Sequence, residues 1–268
     1  MPARADMLTR NAHLNLVQSS RQLFELDPGV AIEAGEGCLF GAGSSPHPIS
    51  NAAFRLDDGL DPEEFLNLAR AFFVARDRGF VLWARDGVPE DRDLIDAAEK
   101  AGMRSVHEMP EMVLEQRVEE LPLGDGVELR RVVSADDADD YWRVATTAYA
   151  SLEFPPEIFA HYENHENLQA DNVAAFLACL EGRPAAIAMT IVSHGVAGIY
   201  WVGSTEEARG RGLGSKMTAT AVNAGFDMGA ETASLQASTM GESLYRRLGF
   251  ETIFGYQLFL YPRPEEGP

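Results

Sequence analysis

From residue 127 onward, apolar positions repeat first every second residue and then every third or fourth. Val127 to Val132 reads as a strand, and Ser134-Ala-Asp-Asp137 resembles a capping box, with Asp in place of Glu, opening a helix through Tyr149. Asn172 to Leu180 and Ala185 to Val192 are apolar runs around the turn Glu181-Gly182-Arg183-Pro184, which predicts a hairpin. Ser193-His194-Gly195 turns the chain again, into a strand from Val196 to Gly203. Strands joined by such short turns are antiparallel, because a parallel pair needs a crossover of about a dozen residues. Leu213, Met217, Ala221, Ala224 and Met228 then recur at helical spacing between Gly212 and Met228, before a short strand at Thr232 to Ala237. Ser238 or Thr239 can cap a last helix through SLYRRL, which stops at Gly249 ahead of the apolar run Phe250 to Tyr261.

The first half carries an echo of this ending. Phe80 to Ala84 is strand-like, Asp91 to Ala101 is helical and stops at Gly102, and Met109 to Leu114 is strand-like again. LIDAAEKAGM answers SLYRRLGF, which predicts a divergent internal duplication. LPLGDGVELRRV, with its Pro and two Gly after a charged stretch, has linker composition and places a boundary near Leu121, dividing the chain into 1–120 and 121–268.

Charge and composition narrow the function. The 268 residues are 46% hydrophobic, enough for one large domain or two small ones. A formal net charge of -20 argues against a nucleic acid or anionic membrane gathered by bulk electrostatics, so an anionic ligand needs a local basic site. Cys38 and Cys179 stand far apart without a CxxC, and neither they nor the His and acidic residues form a metal motif. Met1 to Gln18 has no continuous apolar core and no later stretch reaches a membrane-spanning length, so a cytoplasmic protein is expected.

The local basic site is RGRGLGSK, Arg209 to Lys216, between a strand and a helix. Unpaired N–H groups and the helix dipole make such a turn an anion site. Glycines at 210, 212 and 214 allow close backbone approach, Arg209, Arg211 and Lys216 add charge, and a pyrophosphate suits the site. A Walker loop is excluded by order, since Ser215 precedes Lys216. A dinucleotide fingerprint nearly fits on Gly210, Gly212 and Ser215 with Glu231 following. It is disfavoured because Glu231 precedes the next strand and the preceding strand belongs to an antiparallel run rather than a βαβ unit.

The spacing Arg209-x-x-Gly212-x-Gly214 resembles the pyrophosphate loop of the GCN5-related N-acetyltransferase (GNAT) family. YWVGS before it, the helix after it, the strand at 232–237, LYRRLGFE at 244–251 and the hairpin turn EGRPAAIA follow the family's order across about residues 125–262. The resemblance implies an α/β fold of the α+β kind, a mixed and mostly antiparallel sheet flanked by helices, in two tandem copies. It further implies that Val202, Gly203 and Ser204 bind the pantetheine arm of acetyl-CoA, that Arg209, Gly210, Arg211, Gly212, Leu213, Gly214 and Ser215 wrap its pyrophosphate, and that Tyr245 protonates the departing thiolate. Ser238 stands where relatives often carry a cofactor-contacting Asn, and can equally serve as a helix cap. Residues 1–120 would be a copy without chemistry, since Asp57 to Arg78 lacks R-x-x-G-x-G and Ala98 stands where a tyrosine would be.

Acetyl transfer from acetyl-CoA to a small-molecule or peptide amine needs an oxyanion donor, a base and an acid. The base is unassigned: Ala233 stands where some relatives carry Glu, and His161, Glu163, His165, Glu166 and His194 are candidates by composition. Deprotonating a lysine amine at pH 7 costs roughly 4.6 kcal/mol, against roughly 1.4 kcal/mol for an α-amine, so a site without a strong base favours the weaker amine. A non-catalytic acyl-CoA-binding or sensing module is the alternative.

Overall fold

The computed structural model describes residues 4–35, 37–150 and 168–263. They form two compact units, each assembled from separated segments. The larger unit comprises Met1–Ser19 and Met112–Glu251, the smaller Ser20–Glu111 and Thr252–Pro268. The chain therefore changes unit at Ser20, at Met112 and again at Thr252, and Leu121 lies within the larger unit.

In the smaller unit, β1 (Ala31–Gly35), β2 (Cys38–Ala42) and β3 (Asn51–Arg55) pair antiparallel in succession. Helix α2 (Pro62–Val74) crosses to β4 (Phe80–Asp86), which runs parallel to β3. Helix α3 (Arg92–Lys100) follows and leads into β5 (Arg104–Leu114), while the last strand of the chain, β11 (Glu251–Tyr261), pairs antiparallel with β4 from Gly255 to Tyr261. The core beneath is phenylalanine-rich: Phe40 lies 5.6 Å, centroid to centroid, from both Phe65 and Phe72, and Phe73 stacks on Phe80 at 4.5 Å.

The larger unit repeats that order. Strands β6 (Val127–Arg131), β7 (Val173–Leu180), β8 (Arg183–Ser193) and β9 (Val196–Ser204) pair antiparallel in succession. Helix α5 (Leu213–Asp227) then crosses to β10 (Thr232–Gln236), parallel to β9, and the short helix α6 (Glu242–Arg247) follows. Ala197, Ile199, Ala233 and Leu235 join Leu213, Met217 and Ala221 of α5 in one buried cluster. Helix α4 (Ala135–Ala150) begins as its capping residues predict, with the Asp137 N–H donating to Ser134 Oγ at 3.2 Å.

Helix α1 (Arg4–Phe24) contributes its first part to this unit. Its fully buried Asn15 donates through Nδ2 to the carbonyls of Ile191 (3.0 Å) and Val196 (2.9 Å) and accepts at Oδ1 from the Tyr200 hydroxyl (2.8 Å). One side chain thus satisfies two carbonyls at the closed end of the β8–β9 hairpin that water cannot reach. The strands and helices predicted after residue 127 are observed to within about two residues at each end, while α1, α2 and β1–β3 carried no prediction.

Candidate active site

Strands β9 and β10 are paired only at Val196, Ala197 and Gly198, opposite Thr232, Ala233 and Ser234. Both strands continue, β9 to Ser204 and β10 to Gln236, without pairing to one another. From Ile199 on, β9 therefore presents an edge that β10 leaves open, a slot for a long ligand that can bond to main chain.

A bulge shapes that edge. Met189 pairs with Tyr200 but Ile187 pairs with Gly203, so Trp201 and Val202 together oppose Ala188. Trp201 takes φ +51°, a left-handed conformation costly for a non-glycine residue. Its ring meets Trp142 of α4 edge-on at 6.1 Å and Tyr149 at 5.1 Å. Gly203 lets α4 come close, since a Cβ there would stand 2.9 Å from the Ala148 methyl.

At the end of β9 a 3-10 turn (Glu206–Ala208) leads into the loop. Ala208 and Leu213 are buried while residues 209 to 212 are exposed, so the loop hangs between two apolar anchors. Gly210 and Gly212 adopt φ of +76° and +75°, and Gly212 is the N-cap of α5. The first intrahelical bond runs from the Lys216 N–H to Gly212 O, leaving the N–H groups of Leu213, Gly214 and Ser215 for an anion. Arg209 and Arg211 are exposed on this loop. Lys216 does not add its charge there: its ammonium donates to the Leu121 carbonyl, and Asn223 and Arg117–Asp227 tie the same segment along α5.

Tyr245 lies on α6, its ring 6.0 Å from Phe250 and packed against the cluster under α5. Burial pushes its phenol up to about 12, so it stays protonated at neutral pH. Among the described residues its hydroxyl makes no hydrogen bond, which leaves the proton available to a ligand. Ser238 Oγ accepts from the Gly241 N–H at 3.2 Å, but the N-cap of α6 is Gly241 and no side chain caps it, so Ser238 closes the turn before the helix instead of capping it. Ala233 sits in the α5 cluster, fully buried. His194 occupies the β8–β9 turn, beyond the opposite end of β9 from Ser204, and so is not brought to the loop. His161, Glu163, His165 and Glu166 lie outside the described residues.

Although β9 is antiparallel to β8, it is parallel to β10, so β9–α5–β10 is a crossover unit after all, and the antiparallel run did not count against a dinucleotide. Glu231 does: its N–H bonds the Gly195 carbonyl at 2.9 Å, which puts it at the far end of β9 from the glycine loop. Among the described residues no group of three or more His, Cys, Asp or Glu lies together as a metal site, and no helix is long and apolar enough to cross a membrane.

In this α/β protein the open edge of β9 thus runs towards the N-terminus of α5. Residues 139–250 match the model of the acetyltransferase (GNAT) family, whose members use acetyl-CoA. Over 180 residues it is 29% identical to a mycothiol acetyltransferase of Arthrobacter sp. (strain FB24), covering 58% of this chain and 53% of the relative. A mycothiol acetyltransferase of Pseudarthrobacter chlorophenolicus is 29% identical over 194 residues, 64% of this chain and 57% of the relative. The chain spans a little over half the length of these curated relatives. In fold it is similar to a GCN5-related N-acetyltransferase from Kribbella flavida, with TM-score 0.71 and 23% identity over 94% of this chain and 95% of that one. A tandem GNAT protein from the clavulanic acid biosynthesis pathway matches with TM-score 0.62 and 14% identity, covering 90% and 85% of the two chains.

Proposed function

We propose that the larger unit is an N-acetyltransferase that moves the acetyl group of acetyl-CoA directly to a primary amine of a small molecule or peptide. The observation that carries this reading is the edge of β9 left open from Ile199 to Ser204, which leads straight to the glycine turn and the free N–H groups of α5. Val202, Gly203 and Ser204 bind the pantetheine arm, and Arg209 to Ser215 hold the pyrophosphate. The amine nitrogen attacks the thioester carbon, the C–N bond forms and the C–S bond breaks. A backbone N–H near Val202 meets the oxyanion, Tyr245 gives its proton to the sulfur, and the amine loses one to water or a base. With Ala233 where a carboxylate would sit, an α-amine is the favoured acceptor.

In this reading the smaller unit, which holds Ser20–Glu111 of the first 120 residues, is a copy without a coenzyme site. Its parallel strands stay together to Phe54 and Trp83, one residue before β3 ends, and the two rings stack at 5.8 Å. Helix α2 starts with Pro62, which has no N–H, is capped by the Asp61 carboxylate accepting from Glu64 N–H at 3.0 Å, and carries Glu63 and Glu64 in its first turn. An anion finds repulsion there instead of donors.

Thiol release from acetyl-CoA, measured with glycinamide, phenylalanine amide, Nα-acetyl-lysine and spermidine, tests the function. Amine-dependent release, faster with the α-amines, supports it. CoA binding without turnover on any amine supports the sensing module instead.

A further inference from the structure

The β9 bulge holds a strained Trp201 and needs something to keep it in place. The Thr205 N–H bonds the Ala185 carbonyl at 2.9 Å, and the register makes Gly203–Ile187 the next hydrogen-bonded pair, so the amide of Gly203 faces β8. A trans peptide points its carbonyl opposite its N–H, so the Val202 carbonyl faces away from β8, onto the open edge. That carbonyl accepts a hydrogen bond of 3.2 Å from the hydroxyl of Tyr149.

We propose that Tyr149 is a positioning residue for acetyl transfer: its hydroxyl anchors the Val202 carbonyl on the open edge of β9 and so fixes the bulge whose backbone faces the thioester. The proposal rests on the acetyl-transfer reading of the same site. Burial, with the neighbouring Tyr245 phenol, raises the Tyr149 pKa far above the ordinary tyrosine value, so the hydroxyl keeps its proton and remains a donor at every working pH. The two tyrosines divide the work, Tyr149 donating to the main chain and Tyr245 holding a proton for the sulfur. Without the Tyr149 hydroxyl, Trp201 can relax towards an extended conformation and turn the adjoining amide away.

Tyr149→Phe keeps the ring against Trp201 and deletes only the bond. Its kcat with the best amine of the panel should fall between about tenfold and about a hundredfold, the cost of misplacing a reacting group by an ångström or less, while the Kd for acetyl-CoA changes less than about threefold. The ¹³C shift of the thioester carbonyl in bound [1-¹³C]acetyl-CoA, which requires no acceptor, should move back towards its value in free solution. Tyr141→Phe, which removes a buried hydroxyl that has no hydrogen-bond partner among the described residues, two turns earlier on α4, should leave rate and shift at wild-type values. A merely structural role would lower Tm and leave kcat and the carbonyl shift unchanged, which overturns the proposal while the acetyl-transfer reading stands. Wild-type protein that binds no acetyl-CoA overturns both.

Discussion

Gly212→Ala isolates what the glycine loop contributes. Gly212 sits at φ +75° with no atom within 4 Å of the position a Cβ would take, so the substitution introduces no clash and acts through conformation alone. Holding an L-residue in the left-handed region costs about 1–2 kcal/mol. If the loop relaxes in the free protein and coenzyme binding must force it back, the Kd for CoA rises between about fivefold and about thirtyfold. If the loop holds its shape instead, the same cost appears as a lower Tm, about 2–4 °C per kcal/mol for a domain of this size. Gly214→Ala is the matched control. Its added methyl would meet only the flexible end of Leu244, Cδ1 at 3.0 Å, and alanine favours a first helical turn, so affinity should stay within about twofold. Isothermal titration with CoA and thermal unfolding of both variants provide the comparison. Unchanged Kd and Tm in Gly212→Ala, or an equal loss in Gly214→Ala, would refute the reasoning.

Tyr245→Phe should slow acetyl transfer and make the rate depend more steeply on the basicity of the leaving thiolate. Because burial raises the Tyr245 pKa, its contribution to stability is complete below the unfolded value near 10 and is lost as pH rises through about 12; wild-type kcat should show no loss from this group up to pH 10, as a pH–rate profile can check. In the smaller unit, Arg55 is buried and bonds the carbonyls of Glu90 (2.5 Å) and Leu60 (3.2 Å) and the carboxylate of Asp93 (2.6 Å). Arg55→Met should destabilise the protein by about 1–3 kcal/mol in urea unfolding without weakening CoA binding, since the acceptors it strands belong to the smaller unit and none is part of the glycine loop.

Much of the larger unit was legible because its signals are local. Turn residues at 181–184 and 193–195, the apolar period of α5 and the stop at Gly249 all act over a few residues and do not depend on distant partners. The same holds for the glycine loop, whose two left-handed residues are glycines. Helix α1 escaped because its inward side carries His13, Asn15 and Ser19, which blur an apolar stripe, and Asn15 makes sense only against the β8–β9 carbonyls it meets after folding. The bulge escaped for a different reason: Trp201 at positive φ breaks the rule that glycine marks such positions, and rings from α4 hold it there. Nor does sequence show which strand β10 or β11 will join. Parallel pairing of β10 with β9, and antiparallel pairing of β11 with β4, follow from long-range contacts that a local pattern does not encode. In both cases the apolar run alone is silent about direction.

The account stands on a single coenzyme site, on the larger unit, along the open edge of β9. Amide hydrogen exchange with and without CoA tests it most directly. Protection is predicted at residues 199–204 and 211–215, with none at residues 56–64 of the smaller unit. Protection at 56–64, or CoA binding that leaves the edge of β9 and the start of α5 exchanging as before, would contradict it.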